Sequence, residues 1–256
     1  MLLASDPQAL IAFAMVIFFS CILGGITGFG NTIVALPFTI MIFDLETGRT
    51  VLTATALIQS LVIALKDRRS IAVPILVSVV IFMGIGLPAG MFTYRYLPQD
   101  ILITILAIFT GLVAIRGLLV FFLKVKRTEK THAAGEGALR IFLVLAGIIH
   151  GAFSSGGPLL VIYTMEKIRE KTVFRATMCA IWSILNTALM LQFFAARQVS
   201  VFSLKLLVFS LPFLAGGIIL GNLVNRRIRD TVFTPLVCCV LLVVAGFMLW
   251  NQSHKL

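Results

Sequence analysis

Apolar residues come in long runs along this chain, and polar residues gather in short clusters between them. The first run extends from about residue 8 to 43 and is interrupted by Gly24, Gly25, Gly28, Gly30 and Pro37. Further runs cover about 50–65, 71–93 and 101–123. A polar stretch follows at 124–137 (KVKRTEKTHAAGEG), and the pattern then returns at about 139–165, again broken by glycines, and at 173–195, 201–224 and 231–250. A helix rises about 1.5 Å per residue and needs about 20 residues to cross some 30 Å of hydrocarbon. Each run is close to that length or beyond it, so the pattern predicts an all-α integral membrane protein of about eight hydrophobic segments.

The second half echoes the first. At an offset of 126 residues Gly25 matches Gly151, Gly30 matches Gly156, Arg49 matches Arg175 and Ala54 matches Ala180. At 131 residues Gly86 matches Gly217, Gly90 matches Gly221 and Arg95 matches Arg226. One five-residue insertion between the blocks reconciles the offsets. The reading is an internal duplication: a first transmembrane repeat over 1–123, a cytoplasmic linker at 124–137 and a second repeat over 138–256.

Composition agrees with lipid as the solvent. The chain is 60% hydrophobic and 12% charged, against about 25% charged in a soluble domain. The net charge of +11 does not imply nucleic acid, because Lys and Arg sit between apolar runs, as membrane topology requires. Their distribution also tests the orientation of the halves. If every run crosses once, alternate loops carry ten and nine basic residues. If the glycine-broken run opening each half enters and returns to its own side as a hairpin, the loops near 66, 124, 167 and 226 hold fourteen and the opposite side five. The positive-inside rule selects the second arrangement. Each half then crosses an odd number of times, so the halves are inverted repeats. Both termini lie outside a cytoplasmic (cell) membrane. Cys21, Cys179, Cys238 and Cys239 all fall in apolar stretches and read as small hydrophobes, with no disulfide. Nothing basic precedes Arg49, so the N-terminus reads as mature rather than as a signal peptide.

The broken segments carry the candidate chemistry. Non-helical backbone at membrane depth is tolerated where it is buried in protein or lines a cavity. The first segment reads GGITGFGNTIVALP (24–37) and its counterpart GIIHGAFSSGGPLLVIY (147–163). Gly28, Gly30, Gly156 and Gly157 let backbone amides face a ligand, while Thr27, Asn31, Thr32, Ser154 and Ser155 add neutral hydrogen-bond donors. A half-helix starting just after each glycine cluster would offer its N-terminal amides to an anion, and Pro158 suits the first turn of the second. The competing reading is that the glycines serve close helix packing. Arg49 and Arg175 open the next helix of each half, where a guanidinium can hold a sulfonate or sulfite through two hydrogen bonds or reach the headgroups. Gln59, Ser60, Trp182 and Asn186 lie farther along the same helices, as pocket residues or as interhelical glue. His150 is a candidate for carrying a coupling proton, with a neutral packed histidine as the alternative. Sodium is the other coupling ion considered, held by backbone carbonyls. No metal motif, catalytic triad or phosphate loop occurs, and no cofactor is predicted.

These two motifs, HGAFSSGGPLLVIY above all, resemble the paired signatures of the sulfite exporter TauE/SafE family of membrane permeases. The resemblance spans nearly the whole chain, with a richer glycine run in the family where Asn31 and Thr32 stand here. It implies transport of a small anion such as sulfite or an organosulfonate; the inverted halves, the glycine-broken segments and the lack of an energy-coupling motif make the expected protein a secondary transporter, and not an enzyme. A passive anion channel lined by the same motifs is the alternative. The expected partners are a small anionic substrate, the lipid bilayer and a coupling proton or sodium, without nucleic acid; a homodimer is compatible with the sequence.

Overall fold

The computed structural model describes residues 7–122, 136–225, 227, 238, 239, 242, 243, 245–247, 249 and 250. Most of the linker and of the run at 231–250 therefore lies outside the described residues. Among those described there are nine α-helices, one 3₁₀ turn and no strand: α1 (Pro7–Thr27), α2 (Asn31–Ile42), α3 (Leu45–Lys66), the turn Arg68–Ser70, α4 (Val73–Tyr96), α5 (Gln99–Phe122), α6 (Glu136–Phe153), α7 (Gly157–Lys167), α8 (Lys171–Ala195) and α9 (Val201–Asn225). Helices α1, α3, α4, α8 and α9 are long and apolar enough to cross a membrane. Their outer surfaces carry Ile11, Phe19, Leu65, Phe92, Leu191 and Val208, all strongly exposed, as a lipid-facing surface requires.

Both glycine-broken runs break where the sequence places them. Gly28 (φ 77°) and Gly30 (φ 89°) take left-handed backbone between α1 and α2, which glycine adopts without a Cβ penalty. Ser154, the residue equivalent to Gly28, is also left-handed (φ 55°) between α6 and α7. With 12 residues in α2 and 11 in α7, these helices are about 18 and 16 Å long, too short to cross alone. The next helix starts cleanly: Asp44 caps α3 by accepting a 2.8 Å hydrogen bond from the Thr47 amide.

The helices gather into two compact units, each drawing on both halves of the sequence. One contains Met1–Val80 and Ile168–Arg227, the other Ile81–Lys167 and Ile228–Leu256. In the first unit α1 packs parallel to α9 through glycines. A Cβ on Gly217 would lie 2.9 Å from the Phe18 carbonyl oxygen, and one on Gly221 2.7 Å from that of Ile22. In the second, residues 81–96 of α4 pack on α6 in the same way: a Cβ on Gly86 would overlap the Val144 carbonyl oxygen, and one on Gly90 that of Ile148. Phe18 and Ile22 correspond to Val144 and Ile148 at the 126-residue offset, and the glycines correspond at 131. One contact thus recurs in each unit with the contributions of the two halves exchanged.

Helices α3 and α8, equivalent by the same offset, pack antiparallel in the first unit. Arg49 near the start of α3 meets Phe193 near the end of α8, Ser183 donates to Ser60 at 3.2 Å midway, and Arg175 near the start of α8 meets Asp67 just beyond α3.

Candidate functional site

Four polar residues of the first unit, Thr27, Asn31, Gln59 and Arg175, meet around the break between α1 and α2, whereas Arg49 lies at the other end of the α3–α8 pair. Thr27 closes the end of α1: its hydroxyl donates to the Leu23 carbonyl at 2.9 Å and accepts from the Phe29 amide at 2.9 Å, and it also touches the Phe29 carbonyl. Helix α2 then begins with Gly30 at its cap position, and no side chain caps it. The first intrahelical bond of this helix is Val34 N–H to Gly30 C=O, 3.2 Å. The amides of residues 31–33 therefore precede the hydrogen-bonded ladder, and Asn31 and Thr32 are both buried.

Asn31 and Gln59 meet across α2 and α3. Asn31 Nδ2 donates to Gln59 Oε1 at 2.8 Å, and Gln59 Nε2 donates to the Cys21 carbonyl at 2.6 Å. Gly24 makes room for this chain, since a Cβ there would lie 2.7 Å from Gln59 Oε1. The Asn31 amide is thus committed to Gln59, and its oxygen is buried without a hydrogen-bond partner. Reading Asn31 as a donor overlooked this, because sequence does not show which end of an amide a neighbour occupies.

Arg175 reaches the same break. A Cβ on Gly28 would lie 2.9 Å from the Arg175 carbonyl oxygen and 3.2 Å from its Cα. The Arg175 guanidinium donates to Asn222 Oδ1 and lies 3.7 Å from Asp67 Oδ2. Arg49, 2% exposed, has its guanidinium carbon 5.0 Å from the centre of the Phe193 ring. Asn186 and Trp182 are buried on α8. Sequence reasoning missed Asp67, Phe193, Asn222 and Asn225, which donates to the Ile26 carbonyl. The signal for the first two was available: positions 67 and 193 are themselves 126 residues apart, so the repeat that pairs the arginines also pairs what they touch.

In the second unit His150, Ser154, Ser155, Gly156 and Gly157 are all buried at the break between α6 and α7. The Ser154 amide donates to the His150 carbonyl at 2.7 Å. Gly156 packs so closely that a Cβ would lie 2.9 Å from that of His150. The Ser155 hydroxyl is buried with no hydrogen-bond partner, and Pro158 falls in the first turn of α7.

Gly28→Ala is expected to cost about 2 kcal/mol of stability, from left-handed backbone on an L-residue plus displacement of the Arg175 main chain. Gly84→Ala is the control, because nothing lies within 4 Å of a Cβ there. Thermal unfolding in detergent should separate the two, and an equal response would remove Gly28 from the site's framework.

The sulfite exporter TauE/SafE family model matches residues 13–248. No curated protein and no solved structure matches the chain. The matched span takes in both broken helices and the arginine that opens the helix after each, and the chain belongs to the sulfite exporter TauE/SafE family of membrane permeases.

Proposed function

We propose that this protein is a secondary transporter that moves a small anion, sulfite or an organosulfonate, across the cytoplasmic membrane by alternating access. The observation that carries the reading is the start of α2: buried, opened by left-handed Gly28 and Gly30, and uncapped by any side chain. Backbone amides left without partners inside a bundle are costly, and an anion satisfies them without a fixed counter-charge. Family membership supports sulfur anions as cargo and permeation rather than enzymatic turnover.

In this proposal Thr27 and Gly28 shape the break, the amides from Asn31 onward with the Thr32 hydroxyl receive the anion, and Arg175 sets its field. Ser154, Ser155, Gly156 and Gly157 form the second half's version of the same element, with His150 beside it as the carrier of a coupling proton. Arg49 and Asn186 lie in the packed pair α3 and α8, and Gln59 ties α3 to α1 and α2. The antiparallel packing of the equivalent helices α3 and α8, and the exchanged contacts of α1 with α9 and of α4 with α6, support halves at 1–123 and 138–256 that are inverted and interleaved. In many inverted-repeat carriers one repeat or bundle rocks against the other around a fixed site. The loop charges favour both termini outside.

Purified protein in liposomes should take up labelled sulfite with a saturable rate and show counterflow, accelerated by a pH gradient of the appropriate sign. Failure with a broad panel of small anions would overturn the reading. Large unitary currents without counterflow would replace the carrier by a passive anion channel.

A further inference from the structure

The buried amide chain beside the α2 start has a fixed direction. The Cys21 carbonyl can only accept, so the nitrogen of Gln59 must face it, and the oxygen of Gln59 must face Asn31. Asn31 therefore turns its nitrogen toward Gln59, with the Cys21 sulfur 3.5 Å from the same nitrogen. Rotating either amide would set oxygen against oxygen. The geometry leaves Asn31 Oδ1 as an acceptor on the first residue of α2, 96% buried and without a partner. One helix turn thus presents two chemistries. Its amides call for negative charge, and the Asn31 oxygen calls for a hydrogen-bond donor. A fully deprotonated oxyanion satisfies the first and repels the second.

We propose that Asn31 selects anions that bring their own donor: hydrogensulfite rather than the sulfite dianion, and hydroxyl-bearing sulfonates rather than plain alkanesulfonates. This rests on the anion-transport reading and makes Asn31 a specificity residue within it. A singly charged ion with one O–H places its oxygens on the amides and its hydrogen on Oδ1. A donor-less ion of the same size leaves that oxygen buried and unmatched, and a site built to receive a hydrogen bond discriminates against such analogues.

The test compares 2-hydroxyethanesulfonate with ethanesulfonate, which share charge and headgroup and differ by one hydroxyl. Binding to the full-length protein in detergent and competition with labelled sulfite in liposomes give the readout. The wild type should prefer the hydroxylated anion by about tenfold or more. In Asn31→Leu the preference should fall to within about twofold, with ethanesulfonate affected less than its partner. If that variant does not fold, Asn31→Leu with Gln59→Leu replaces both amides by apolar groups and leaves neither one stranded. Equal binding of the two sulfonates by a wild type that still moves sulfite, or a preference surviving both variants, overturns the inference alone. A wild type that moves neither sulfite nor any sulfonate overturns the transport reading and this inference together.

Discussion

Arg175→Gln should lower sulfite flux by about a hundredfold and destabilise the protein by about 3 kcal/mol, at the lower end for breaking a buried ion pair by removing one partner. The lower end applies because the Asp67 side chain is 21% exposed and stays partly solvated. Arg175 joins three parts of its unit. Its guanidinium meets Asp67 after α3 and Asn222 on α9, and its main chain backs Gly28 at the break. A neutral glutamine strands the carboxylate and shortens the reach to Asn222. Arg175→Lys keeps the charge but loses the planar fork, so it should fall between, with the larger change in half-saturation. Adding Asp67→Asn to Arg175→Gln separates structure from function. The double variant should regain most of the stability because no uncompensated carboxylate remains, yet it should still transport poorly, since the guanidinium's field at the break is gone. Recovery of both properties would make Arg175 a structural residue only, and full flux in the single variant would remove it from the mechanism.

Helix positions were legible because the apolar runs dictate them; α2 starts directly after its glycine cluster, and α7 starts on Gly157, the last glycine of its own. The left-handed residues explain the breaks, although Ser154 shows that glycine is not the only residue put there. The exchanged packing of the halves was not legible. A repeat offset tells which residues correspond, whereas the contact of Gly217 with Phe18 rather than with its own half depends on how the chain is threaded. Partner identities were hidden for a related reason. Asp67 sits in a loop rich in Lys66, Arg68 and Arg69 and reads as surface charge until the fold brings Arg175 to it. The polarity of Asn31 is the sharpest example. That its oxygen rather than its nitrogen is left without a partner follows from a chain of hydrogen bonds ending at the Cys21 carbonyl, 38 positions from Gln59, and no local pattern encodes that chain.

In the proposed carrier, exchanging Asp67 and Phe193, as Asp67→Phe with Phe193→Asp, should reverse which face of the membrane is favoured at rest. Arg49 and Arg175 are equivalent, they lie at opposite ends of the antiparallel pair α3 and α8, and each touches the residue equivalent to the other's partner. At one end that residue is a carboxylate and at the other a phenyl ring. A guanidinium over a ring contributes about 0.5–2 kcal/mol, while losing one partner of a buried ion pair costs about 3 kcal/mol or more. Whatever else Arg49 touches, the exchange moves the carboxylate from Arg175's end of the pair to Arg49's. Every 1.4 kcal/mol shifts a two-state equilibrium about tenfold, so a difference of this size sets a resting preference rather than a slight bias. Half-saturation for sulfite measured from each face of oriented vesicles reports the preference, because the favoured face binds more tightly. Asp67→Asn alone should bring the two values about tenfold closer, and it keeps Phe193 (1% exposed) intact should the exchange disturb folding. If both variants keep the wild-type ratio, the ion pair holds the bundle together without deciding which way it opens. A reversed ratio would mean that the halves of the chain, similar enough to form the same contacts, differ in function at this one pair of positions.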